Sequence, residues 1–167
     1  MPLRSGGSLI IETTEAMTVV DVNTGSFTGR GSMEETVLKT NLEAAEETVR
    51  QLRLRNIGGL IVIDFIDMTE SENRNKLYTF FDQMLKERDR FQSVVLKISE
   101  FGLVQMTRKR SGKTLVQKLT NTCSCCAGAG FVKSVATETY AILRTFKLAL
   151  HNESLGAEVQ LMVSPQV

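Results

Sequence analysis

The sequence predicts an α/β fold: a mixed sheet with flanking helices, then a cysteine knuckle and a short α+β segment. Three observations carry this. Two β-rich runs, Leu9–Glu12 and Met17–Val22, lie close enough to form a hairpin. An apolar run, Leu60–Ile63, separates two stretches of helical periodicity. All the cysteines (Cys123, Cys125 and Cys126) fall in one short segment.

The elements follow in chain order. Ser5, Gly6 and Gly7 signal a turn before the hairpin, and the glycine-rich stretch 24–32 reads as a mobile loop. Ser32 and Glu35 have capping-box spacing. Leu38, Leu42, Ala45, Val49 and Leu52 then recur as one apolar stripe of a long helix that Gly58 and Gly59 should stop. The run ending at Asp64 reads as a strand buried on both faces. A second capping box, Thr69 with Glu72, opens a helix with Leu77, Phe81, Met84 and Leu85 inside, and Asp67 is a candidate partner of its N-terminal dipole. Strands are expected at Ser93–Ile98 and Leu103–Thr107, a helix at Thr137–Leu150 and a short strand near Glu158–Val163.

With 167 residues, the chain fits one domain, or one domain plus a small appendage, and the texture changes near Asn121. Residues 1–120 form the expected main unit, 121–132 the cysteine segment and 133–167 the beginning of a small further domain. A net charge of +1 announces no nucleic acid by itself, so any RNA site must come from local clustering. No apolar run reaches membrane-spanning length, and a soluble cytoplasmic protein is expected.

Two constellations carry chemistry. Asp21 sits near the end of one strand with Asn23 two residues on, so both can face one target while Val20 and Val22 face the core. Asp64 ends the apolar strand, where a carboxylate is costly unless paired or bound to a cation. Strands joined through one helix are often neighbours, and sites gather at their carboxyl ends. Asp21 and Asp64 are therefore candidate Mg²⁺ ligands, with Asn23 available to a phosphate oxygen or an attacking water. The plainer alternative is that these residues simply form turns.

Cys123 and Cys126 have the spacing of half a tetrahedral zinc site. Either a second chain supplies the other half, or Cys125 and His151 complete it within one chain. Arg108, Lys109, Arg110 and Lys113 form a short basic run suited to RNA phosphate, though such runs are usually solvated loops.

The stretch TEAMTVVDVNTGSF (Thr14–Phe27), preceded by Gly6 and Gly7, resembles the RNase E/G family of endoribonucleases. So do ETVLKTNLEAAEETVRQLRLRNIGGLIVIDFIDM (Glu35–Met68) and FGLVQMTRKR (Phe101–Arg110). Cys123, Cys126, Gly128 and Gly130 match the family's Cys-Pro-x-Cys-x-Gly-x-Gly segment, with Ser124 in place of the proline and Cys125 as an extra thiol. The resemblance covers nearly the whole chain.

It implies a DNase I-like subdomain in which Asp21 and Asp64 hold a catalytic Mg²⁺ and Asn23 positions the scissile phosphate. It also implies a zinc ion shared between the Cys123 and Cys126 pairs of two protomers, giving a homodimer; some members pair dimers into tetramers. The expected function is Mg²⁺-dependent hydrolysis of single-stranded RNA in processing and decay, in bacterial cytoplasm or in plastids. The family's oligonucleotide-binding barrel, RNase H-like region and 5′-monophosphate pocket have no counterpart before Met1. The chain is therefore expected to be a fragment, weakly active or inactive alone. The competing expectations are a silent zinc-linked dimerisation module and a simple RNA-binding module. The latter is disfavoured by two tyrosines and no tryptophan, too few for an aromatic platform.

Overall fold

The computed structural model describes residues 1–25, 33–99, 101–152 and 160–163. Contacts divide the chain into two units, Met1–Thr120 and Asn121–Val167.

The first unit is built on a five-stranded mixed sheet. Strands β1 (Ser8–Thr13) and β2 (Met17–Asn23) form the expected antiparallel hairpin. Helix α1 (Met33–Leu54) leads to β3 (Gly59–Asp64), which pairs in parallel with β2. Helix α2 (Ser71–Arg88) leads to β4 (Ser93–Val95) and β5 (Leu103–Arg108), and the spatial order is β1-β2-β3-β5-β4. Strand β4 stops three residues short of the expected end, and Leu96 and Lys97 are exposed.

Every second strand residue belongs to one buried face. Leu9, Val20, Val22, Ile61, Ile63, Val104 and Met106 join Ala45, Val49 and Leu52 of α1 and Leu77, Phe81, Met84 and Leu85 of α2 in a single core. The other face is open. Leu60 is 40% exposed and Val62 only half-buried, which corrects the expectation that β3 is covered on both sides. A continuous apolar run reports burial on average; it does not report on which face a helix lies.

Helix α1 is also rotated from the expected stripe. Its buried face is Val37, Thr40, Asn41, Ala44, Ala45, Thr48, Val49 and Leu52, while Leu38 and Leu42 are half-buried and line a hollow with Phe80 of α2. Small residues line much of the buried side of α1, and the two larger leucines turn towards Phe80.

Asn56, not the glycine pair, stops α1. It takes φ +52°, the amide of Ile57 donates to the Leu52 carbonyl at 3.0 Å, and the amide of Asn56 donates to that of Arg53 at 3.3 Å. This is the Schellman arrangement, with asparagine tolerating the left-handed position. The expected Ser32 cap lies outside the described residues. At α2 the Thr69 box is not formed: Glu70 is the N-cap and makes no side-chain cap bond. Instead Glu34 of α1 accepts from Thr69 Oγ1 at 2.9 Å, from the Glu70 amide at 3.2 Å and from Asn73 Nδ2 at 3.2 Å. These bonds, the Glu70 amide first, hold the Glu34 carboxyl below its ordinary pKa. A short helix, α3 (Leu115–Leu119), follows the basic run and was not expected from it. Its signal was present: Thr114 and Gln117 form a reciprocal capping box.

In the second unit, α4 (Val135–Asn152) extends the expected helix slightly at both ends. The strand expected near Glu158–Val163 is not formed where it is described: residues 160–163 have no regular structure, and 158 and 159 lie outside the described residues. Among the described residues no helix is long and apolar enough to cross a membrane.

Candidate active site

Strand pairing sets the centre of the site. In the parallel β2–β3 ladder Asp21 is the direct partner of Asp64, so the two side chains stand next to each other on the same face. That is the open face, because Val20, Val22 and Ile63 point into the core. Ile10 pairs with Asp21 and Leu103 with Asp64, so a row Ile10, Asp21, Asp64, Leu103 crosses four strands at one level. Two acids in mid-row are flanked by aliphatic side chains.

Asn23 joins them. Its Nδ2 donates to Asp21 Oδ2 at 2.7 Å. Asp64 has its pKa raised, first by partial burial, then by the negative charges of Asp21 and Asp67. Repulsion between unneutralised carboxylates is what a bound cation would relieve. The donor set suits a hard cation such as Mg²⁺: oxygen ligands from two side chains, with the open face leaving the other positions to water and substrate. Among the described residues no group of three or more His, Cys, Asp or Glu side chains forms a complete metal cage.

Two close backbone approaches and one buried amide shape the rim. A Cβ on Gly7 would lie 2.7 Å from the Asn23 carbonyl oxygen. Gly102, at φ +73°, lies where a Cβ would meet the Phe65 carbonyl oxygen at 2.6 Å. Neither position admits a side chain without displacing the backbone that carries the site. Asn41, fully buried in α1, donates from Nδ2 to the Ile66 carbonyl at 2.8 Å and accepts the Ile66 amide on Oδ1 at 3.0 Å. It thereby fixes the loop between Asp64 and Asp67. Sequence reasoning passed over Asn41; the available signal was a carboxamide next to the apolar stripe.

The basic run is not at this site. Strand β5 pairs Leu103 with Asp64 but Arg108 with Gly59. Arg108 therefore lies at the opposite end of β3, about 17 Å away at ~3.3 Å per residue. Nor is Arg108 available to RNA, which corrects its assignment as a phosphate ligand. Its side chain is 1% exposed and gives Asp89 two hydrogen bonds, at 2.5 and 3.0 Å, and a third to the Ile57 carbonyl. Lys109, Arg110 and Lys113 are exposed, and Asn56 Nδ2 ties their segment to α1 through the Lys113 carbonyl at 3.0 Å.

In the second unit the segment Cys123–Cys126 is a tight turn. Backbone amides of Cys126 and Cys125, then the Cys126 thiol, hydrogen-bond to Cys123 and lower its pKa. The Gly130 amide donates to Cys126 Sγ at 3.4 Å. The contacts on Cys123 favour its thiolate, the form that binds zinc. His151, in the last turn of α4, does not combine with the thiols into a cage, so the single-chain zinc option is not formed.

The Ribonuclease E/G family profile matches residues 1–111, a stretch that contains the whole sheet and the row of acids. The chain belongs to the ribonuclease E/G family. Ribonuclease G of Escherichia coli (strain K12) is 48% identical over 142 residues, covering 85% of this chain and 29% of that protein. Ribonuclease G of Haemophilus influenzae is 47% identical over 150 residues, 89% of this chain and 30% of that protein. Ribonuclease E of Nostoc sp. is 47% identical over 137 residues, 82% and 20% respectively. The chain thus spans less than a third of the length of these ribonuclease E/G relatives.

Proposed function

We propose that this chain is the catalytic segment of an endoribonuclease that hydrolyses phosphodiester bonds in single-stranded RNA, using Mg²⁺ held by Asp21 and Asp64. The observation that carries the reading is the direct pairing of these two residues on adjoining parallel strands, both on the open sheet face. A bound cation there supplies charge neutralisation at a phosphate oxygen and a lowered pKa for a coordinated water.

The chain's own groups do the rest. Asp21 and Asp64 present oxygen ligands from rigid strand ends. Asn23 orients Asp21 through its donated hydrogen bond and keeps a second N–H for a phosphate oxygen or the attacking water. Asn41 holds the loop after Asp64. Ile10 and Leu103 border the acids in the same cross-strand row. Water attacks phosphorus in line, the bond to the 3′ oxygen breaks, and the products carry a 5′-phosphate and a 3′-hydroxyl.

The Cys123–Cys126 knuckle has two ligands for a tetrahedral zinc, and the reading assigns the other two to a second copy of the chain, which makes a homodimer. Lys109, Arg110 and Lys113 remain the phosphate contacts of the basic run. Bacterial cytoplasm is the proposed setting.

The test is cleavage of a 5′-monophosphorylated oligoribonucleotide in Mg²⁺ by a protein of ribonuclease G length carrying this segment. Asp21→Asn and Asp64→Asn should each lose cleavage while keeping their fold. Normal cleavage by either variant refutes the assignment and leaves the silent dimerisation or RNA-binding reading.

A further inference from the structure

Just before β5, at the end of the sheet where Asp21 and Asp64 meet, an aromatic ring stands in solvent. Phe101 is 77% exposed, and it is the one exposed aromatic side chain among the described residues of the first unit. Phe65 and Phe81 pack edge to face in the core, and Phe91 lies against Arg90 and Arg108. Among the described residues Phe101 has neither kind of contact. Its backbone is nevertheless held firmly. The Gly102 amide donates to the Ser99 carbonyl at 3.1 Å, and the Ser99 amide donates to the Leu103 carbonyl at 2.9 Å. The Leu103 amide donates to Ser99 Oγ at 3.1 Å. Gly102 is buried against the loop after Asp64, where a Cβ would lie 2.6 Å from the Phe65 carbonyl oxygen and 3.3 Å from Asp67 Oδ1. Leu103 is the direct partner of Asp64. The Phe101 Cα therefore lies within about 13 Å of the Asp64 Cα.

We propose that Phe101 stacks on a nucleobase beside the bond that is cut, and so holds the RNA strand in register over Asp21 and Asp64. The inference rests on the endoribonuclease reading, which supplies the RNA. A strand with one phosphate at the two acids carries a base on either side of that phosphate, close to the ring. An apolar ring left in water gains by covering its face with a base. The hydrogen-bonded turn fixes the backbone beforehand, which reduces the entropy lost when the ring is covered. Stacking reads no hydrogen-bond pattern, so the contact accepts any base and favours purines, whose faces are larger. It also needs a base that is not already stacked in a duplex, which single-stranded RNA offers. The ring has no charge, so its contribution is to the bases and not to the phosphates.

The chain contains no tryptophan, so Phe101→Trp places a single indole at the site. The 167-residue variant is titrated in Mg²⁺ with a single-stranded oligoribonucleotide, and with an abasic strand of the same length and charge. The RNA is checked for length afterwards. Indole emission should fall on the oligoribonucleotide and stay unchanged on the abasic strand. Equal emission changes on the two strands overturn the proposal, as does no change on either. The second measurement is cleavage by a protein of ribonuclease G length carrying this segment. There Phe101→Ala should raise KM at least about fivefold with little change in kcat, the signature of lost stacking energy in both the bound and the transition state. Phe101→Tyr keeps the ring and should keep the KM of the parent. An unchanged KM in Phe101→Ala together with a lowered Tm would mean that the ring packs against another part of the longer protein, and the proposal falls. Failure of the nuclease reading shows separately, as cleavage that survives Asp21→Asn.

Discussion

Asn41 closes both halves of its carboxamide on the backbone of Ile66, one bond donated at 2.8 Å and one accepted at 3.0 Å, from a position with no solvent exposure. The loop from Asp64 to Asp67 is thereby tied to α1. Asn41→Ala leaves a polar amide and carbonyl without these partners, each at a cost of about 1–3 kcal/mol. Urea unfolding of the variant should show a loss in that range or above it, and its affinity for Mn²⁺ should fall. Unchanged stability would mean that water replaces the side chain and that the loop is not held by it.

Asp89 and Arg108 form a pair that is 1% exposed on both sides. Burial raises the Asp89 pKa, but the Arg108 hydrogen bonds, the Phe91 amide and the charges of Arg108 and Arg53 outweigh it, and the net shift is downward. A lowered folded pKa means that the stabilisation is present above the unfolded value of roughly 4 and is lost as pH falls through the folded value. Acid should therefore cost the parent more stability than it costs Asp89→Asn. At neutral pH, Asp89→Asn should lose about 3–5 kcal/mol, because Arg108 is left buried without its counter-charge. Equal pH profiles for the two proteins would contradict this account.

Asp64 behaves oppositely. Its raised pKa means that its ionised form is disfavoured by the fold, so its contribution to stability is lost as pH rises through the folded value. Without metal at neutral pH, Asp64→Asn should melt slightly higher than the parent. With saturating Mg²⁺ the order should reverse, since only the parent gains stability by binding. A variant that melts lower than the parent without metal would show that Asp64 is a structural carboxylate.

The zinc reading fixes a stoichiometry. The chain should carry about half an equivalent of zinc, and strong chelation should convert dimer to monomer. Cys123→Ser should give both effects at once, whereas Cys125→Ser should leave zinc content unchanged. One full equivalent in a monomer would contradict a shared site. Metal analysis with light scattering decides between them.

Much of the site was legible in the sequence because it obeys short-range rules. Alternation placed Val20 and Val22 inward and Asp21 and Asn23 outward, and a single crossover helix made β2 and β3 neighbours. Pairs distant in sequence were not legible. Nothing local in the sequence joins Asp89 to Arg108, or Glu34 to the start of α2, because such partners are chosen by how helices and strands pack. The phase of α1 was misjudged for a related reason. Leucines mark a stripe in any helix, but here Thr40, Asn41, Ala44 and Thr48 are buried and Leu38 and Leu42 are not. The basic run reads as one patch because its residues lie within six positions, yet strand alternation buries Arg108 between exposed neighbours.

The most direct test of the carboxylate pair is Mn²⁺ binding to the 167-residue chain, followed by electron paramagnetic resonance and calorimetry at neutral pH. The account predicts one Mn²⁺ per chain in the first unit, displaced by Mg²⁺, and absent from both Asp21→Asn and Asp64→Asn. If both variants bind Mn²⁺ as the parent does, the two strand ends do not share a cation and the catalytic reading is wrong.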